Sequence, residues 1–223
     1  STGGIKMNNK SKKTNREKII KLTELAMLMA IEIIVCFTPL GTLPALGPLS
    51  ATLSHVPVII TAAILGTGAG AFMGLVFGAC SFIYWTFTAP GLFSFIYTPF
   101  YTMGEFSGNF GSLLICFVPR ILIGVVTGLI IKALGEKIKY KSVTYTIAGL
   151  LGSLTNTFLV LGGIYVFFGQ EYLTALGGGA GKTLIAILGM TVLTNGLPEA
   201  VIGALACSAV GLPVKNAVAK LHK

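Results

Sequence analysis

Hydrophobic residues in this chain run in blocks too long for a soluble helix, separated by short Pro- and Gly-containing breaks. A bilayer core takes about 20 apolar residues per helix, fewer or more with tilt. Residues 19–37, 50–65, 68–86, 107–134, 142–168 and 183–210 are read as six such spans. Pro39, Gly41 and Pro44 stop the first. Segment 87–106 holds Pro90, Gly91, Tyr97, Pro99 and Tyr101 and is too broken for a clean span. It reads as a long outer loop or a re-entrant piece, tolerated at depth only where protein buries it. The other outer connections are 38–49 and 169–182.

Charge sets the direction. Every Lys and Arg except Arg120 and Lys182 falls in one of three clusters. The first is Lys6, Lys10, Lys12, Lys13, Arg16, Lys18 and Lys21. The second is Lys132, Lys137, Lys139 and Lys141, and the third is Lys215, Lys220 and Lys223. Residues 33–104 carry no formal charge. Basic residues are retained on the cytoplasmic side, and six spans put all three clusters there, whereas five or seven would strand one outside. The expected fold is therefore an all-α integral membrane protein of six transmembrane helices with both termini cytoplasmic. Residues 1–18 form a basic cytoplasmic segment, with 1–6 read as a cloning remnant ahead of Met7. Residues 19–212 form the transmembrane domain and 213–223 a basic tail.

Composition agrees: 54% of residues are apolar and 10% charged, against about 25% charged in soluble domains. The net charge of +9 lies at helix ends, so its expected partner is the anionic lipid surface and not nucleic acid, which needs a basic face interleaved with aromatics. Cys36, Cys80, Cys116 and Cys207 form no CxxC pair and sit in apolar segments of a chain without Asp. They read as small buried hydrophobes, and neither a metal nor a cofactor is expected. The first apolar run lacks a small-residue cleavage site, so no cleavable signal is expected. No internal repeat of the kind that builds many secondary transporters is present.

Polar groups inside spans are costly and therefore informative. With helix 4 entering from outside, Arg120 lies about 13 residues down, roughly 20 Å at about 1.5 Å per residue. Asn195 and Glu199 on helix 6 and Asn156 on helix 5 reach a similar depth, which points to a shared cavity. Arg120 and Glu199 either neutralise one another or Arg120 meets an anionic solute group, for which its planar fork suits a carboxylate. The asparagines then face amide or hydroxyl groups. Glu32 lines the cavity or reaches the surface. His55, at the start of helix 2, is a structural histidine or a ligand contact. Trp85, Tyr84, Tyr97 and Tyr101 form an interfacial belt or a lid over a pocket. Glu105 and Asn109 mark the mouth of helix 4.

Gly66, Gly70, Gly74 and Gly78 recur every four residues and allow another helix to approach closely. Ala26 and Ala30 offer a flat surface near the cytoplasmic start of helix 1. Residues 177–183, GGGAGKT, imitate a phosphate loop, but the required first glycine is Leu176 and no strand precedes it. An outer loop, in the position of a gate, is the expected role. A nucleophile placed beside His55 for intramembrane catalysis is not evident.

The chain resembles the substrate-binding (S) components of energy-coupling factor (ECF) vitamin transporters. The resemblance rests on AMLMA at 26–30, HVPVII at 55–60, the glycine row, PRILIG at 119–124, GSLTNT at 152–157 and NGLPEA at 195–200. It covers nearly everything after residue 18. It implies a non-catalytic subunit that captures a water-soluble vitamin from outside. It implies docking through Ala26 and Ala30 on the transmembrane coupling subunit EcfT, with ATP hydrolysed by two partner ATPases of a bacterial cytoplasmic membrane complex. It supports a substrate-binding role for Arg120, Asn156, Asn195 and Glu199; Trp85, Tyr97, Tyr101 and His55 join the expected site on the reading of the residues above. Among vitamins it resembles the pantothenate-specific members most. Folate, hydroxymethylpyrimidine or pyridoxine, and riboflavin members are the alternatives, and a stand-alone secondary transporter is the rival class.

Overall fold

The computed structural model describes residues 2–41, 52–88, 90–178 and 183–221. Among them run six helices, named here α1 (Thr2–Phe37), α2 (Val56–Leu65), α3 (Thr67–Thr88), α4 (Phe110–Leu134), α5 (Lys141–Ala175) and α6 (Leu184–Lys220). The last four are long and apolar enough to cross a membrane by length and composition. The expected six-helix membrane bundle is thus present, with differences at its ends. α2 begins at Val56, not at residue 50, because Pro57 suits only a first helical turn. Residues 42–51 lie outside the described part, and with them most of the 38–49 connection. At 10 residues, α2 reaches about 15 Å, half a bilayer core. α1 continues to Thr2, and its 36 residues extend for about 54 Å.

α5 overruns its expected end at residue 168. Phe168 carries non-helical dihedrals (φ −139°, ψ 22°), and the helix resumes beyond this kink to Ala175. Of the glycine-rich stretch read as a gate, residues 179–182 lie outside the described part. α6 contains two widened, π-helical turns, Val192–Gly196 and Cys207–Gly211. Both have one cause. Pro198 and Pro213 cannot donate to the carbonyls of Thr194 and Ala209, four residues earlier, and each ring would press on that carbonyl. Widening the turn relieves the pressure.

The glycine row packs α3 against antiparallel α4. A Cβ on Gly70 would meet the Gly124 carbonyl, one on Gly74 would overlap the Arg120 carbonyl, and one on Gly78 would press on Phe117. The Cys116 thiol closes the register by donating to the Gly78 carbonyl at 3.4 Å. The position of α4, and of Arg120 on it, therefore follows from where α3 lacks side chains.

Residues 90–106 form a folded cap. It holds a 3-10 turn at Ser94–Ile96 and the first strand of a two-stranded hairpin, Thr102–Met103 paired with Phe106–Ser107. Ser94, Phe95, Ile96 and Thr98 are fully buried. The Ser112 hydroxyl of α4 ties the cap down by donating to the Phe95 carbonyl at 2.6 Å. Protein thus covers this irregular backbone, as a membrane requires.

Candidate functional site

Beneath the cap lies a cavity of about 390 Å³, within the size range of small-molecule sites. Its wall takes Cys36 from α1, Thr52 and Ser54 from the segment before α2, and Phe77, Ser81, Tyr84 and Trp85 from α3. Phe93 and Tyr97 come from the cap and Arg120 from α4. α5 gives Asn156, Thr157, Val160 and Leu161, and α6 gives Thr191, Asn195, Gly196 and Glu199.

Arg120 is 94% shielded, with 6% of its surface exposed, and its orientation follows from its neighbour. Pro119 lies inside α4 and has no N–H to offer the carbonyl of Ile115, four residues back. That carbonyl accepts instead from Arg120 Nη1 at 2.7 Å. The guanidinium also lies over two rings, 5.2 Å from the Tyr97 centroid and 5.6 Å from that of Phe77, within cation–π range. Its Nε is buried without a partner. The Pro-Arg pair therefore fixes a cation in the wall with hydrogen-bonding capacity left over.

Glu199 is held by other groups. Its Oε1 accepts the Thr52 N–H at 2.6 Å. Its backbone carbonyl lies 3.3 Å from His55 Nε2, and the same nitrogen is 3.2 Å from Ser153 Oγ. These contacts pin the segment leading into α2 to α5 and α6. Among the described residues Arg120 and Glu199 form no direct ion pair. Asn156 Oδ1 and Thr157 Oγ1 are buried without a hydrogen-bond partner. A cavity with one fixed cation, unmatched amide and hydroxyl oxygens and aromatic walls is suited to a small acid that carries its own polar groups.

The structure brings Arg120, Asn156, Asn195, Glu199, Trp85 and Tyr97 to this cavity. Trp85 and Tyr97 stack with centroids 5.3 Å apart at 21°, which joins α3 to the cap. His55 and Tyr101 are not in the wall. His55 sits behind it, fully buried in the contacts just described. Glu32 does not reach the surface: it is fully buried, and its Oε1 accepts the Cys36 thiol at 3.1 Å. Asn109 caps α4, accepting the Gly111 N–H at 2.7 Å, and Glu105 is exposed. Ala26 and Ala30 lie on the exposed face of α1.

Sequence reasoning missed Phe77, Ser81, Thr157 and Thr191, and it took Cys36 for a buried hydrophobe although it lines the cavity. A signal existed for several of them. Thr191, Asn195 and Glu199 are spaced by four, as are Phe77, Ser81 and Trp85, so one face of each helix was readable from its strongest member.

Comparison with known proteins agrees with this architecture. A family model described as "ECF transporter, substrate-specific component" matches residues 20–210. The chain is 34% identical over 198 residues to the pantothenic acid transporter PanT of Lactococcus lactis subsp. cremoris (strain MG1363), covering 87% of this chain and 93% of that protein. Its fold is similar to the crystal structure of the S-component for biotin from an ECF-type ABC transporter. The TM-score is 0.60 at 18% identity, over 91% of this chain and 94% of the other.

Proposed function

This chain belongs to the substrate-specific components of ECF transporters, and from that membership we propose that its cavity captures pantothenate for ATP-driven uptake. The observation that carries this reading is the Arg120 guanidinium, buried, clamped by the Ile115 carbonyl and facing a cavity with unmatched polar atoms. Pantothenate has a carboxylate for Arg120 and an amide and two hydroxyls for Asn156, Thr157 and Asn195. Its dimethyl-bearing carbon packs against Trp85, Tyr97 and Val160. A charge-assisted pair in a water-poor site is stronger than its counterpart in solution. The name of the Lactococcus relative supports the same vitamin.

In this reading the cap side faces the exterior of a bacterial cytoplasmic membrane, and the three basic clusters lie in the cytoplasm. The subunit docks through the exposed Ala26–Ala30 face of α1 on EcfT, and two partner ATPases hydrolyse ATP. Glu199 and His55 hold the wall around Thr52. Titration calorimetry against pantothenate, biotin, riboflavin, thiamine and pyridoxine tests the assignment. Pantothenate is expected to bind at micromolar concentration or below and the others far more weakly. A different vitamin binding best would overturn it.

The Pro119–Arg120 device gives a second test. Pro119→Ala returns an N–H that competes with Arg120 for the Ile115 carbonyl. Melting temperature is expected to rise, since a helix-interior proline is unfavourable. Pantothenate affinity is expected to fall by roughly tenfold, the worth of one hydrogen bond to a charged group. Changes of opposite sign in stability and affinity distinguish a positioning role from simple damage. A stabler protein with unchanged affinity would remove Pro119 from the account.

A further inference from the structure

At the end of the bundle remote from the cap, α5 starts and α6 ends side by side, and their cations crowd together. Lys215 Nζ lies 5.8 Å from the Tyr145 ring centroid, and Lys139 Nζ lies 6.0 Å from that of Tyr140. Tyr145 lies one turn beyond Lys141 on the same face of α5, so Lys215 over its ring is on the side of α5 that carries Lys141. Folding has brought like charges together, and among the described residues no acidic side chain forms an ion pair with them. Glu136, the acidic residue of the α4–α5 loop, makes no ion pair with them among the described residues. The start of α5 adds to the positive field, and Tyr140 at its N-cap makes no side-chain capping bond there. Around the cations the surface turns apolar: Tyr140, Val143, Val210 and Val214 are all exposed.

We propose that Lys141 and Lys215, with Tyr140 and Tyr145 beside them, form a headgroup site for an anionic phospholipid such as phosphatidylglycerol. The phosphate sits between the two ammonium groups above the start of α5, and the acyl chains follow the exposed valines. Those valines favour a lipid over a free anion, which has no use for an apolar surface, and over an acidic protein, whose charges need none. Basic side chains at a membrane surface are each worth several-fold in binding to anionic lipid, so two amount to roughly thirtyfold.

Native mass spectrometry of the purified full chain, titrated with phosphatidylglycerol or phosphatidylcholine, tests the site. Phosphatidylglycerol is expected to be retained preferentially, and Lys141→Gln/Lys215→Gln to lower its retention by about tenfold or more. The charge-matched control Lys132→Gln/Lys137→Gln should keep it. Lys141→Arg/Lys215→Arg preserves both charges, so it keeps the test decisive if the Gln variant is poorly folded, and it should bind phosphatidylglycerol as the parent does. Equal loss in the site and control variants would overturn the proposal. So would loss of the lipid in the Arg variant, no preference over phosphatidylcholine, or displacement of the lipid by millimolar inorganic phosphate.

Discussion

Arg120→Ala is expected to weaken pantothenate binding by a hundredfold or more while the protein remains folded and monodisperse. A carboxylate held by two charge-assisted hydrogen bonds loses about 3 kcal/mol when the fork is removed, and each 1.4 kcal/mol is roughly tenfold in Kd. The truncation also frees the Ile115 carbonyl, so a modest fall in melting temperature should accompany the loss. Arg120→Lys separates charge from geometry. It keeps the cation but presents a point charge where the wall holds a planar fork beside two rings, so its affinity should lie between those of the parent and the alanine variant. Calorimetry on the three proteins checks the order. Binding by Arg120→Ala at the parental level would detach the guanidinium from the site.

Gly74→Leu is expected to have the largest effect on stability. A Cβ at position 74 overlaps the carbonyl of Arg120 and lies 2.7 Å from Ile121 Cα, so backbone, not a yielding side chain, stands in its way. Overpacking of this kind costs about 1–3 kcal/mol or more, which for a chain of this size lowers the melting temperature by roughly 10 °C. Whatever folds should also bind pantothenate poorly, because α4 must move away from α3 and carry Arg120 with it. Gly162→Leu is the control, since nothing lies within 4 Å of its built Cβ. Thermal unfolding in detergent decides the matter, and equal melting temperatures for the two variants would contradict the packing described.

How much was readable beforehand depended on the physics behind each feature. Long apolar runs placed α3, α4 and the body of α5 and α6 closely, because a bilayer leaves little freedom in what can cross it. Helix ends were less legible. Residues 50–55, SATLSH, carry no breaker that separates them from the apolar run after them, and only Pro57 marks where α2 can begin. The continuation of α5 past Phe168 depends on packing against the cap, which includes the edge contact of Phe168 with Phe95. Intramembrane polarity singled out Arg120, Asn156, Asn195 and Glu199, since a polar group in a span needs a reason. What the spacing did not carry was the division of labour between Arg120 and Glu199. That division turns on a backbone N–H at Thr52, contributed by a segment distant in sequence. His55 was ambiguous for the same reason: its contacts, Ser153 and the Glu199 carbonyl, lie on other helices.

We propose that the cavity recognises a carboxylate through a cation that Pro119 holds in place. Parallel calorimetric titration of the purified protein with pantothenate and with pantothenol, which carries an alcohol in place of the acid, tests it most directly. Pantothenate is expected to bind tightly and pantothenol roughly a hundredfold more weakly. Equal affinity for the two, or binding of neither, would contradict it.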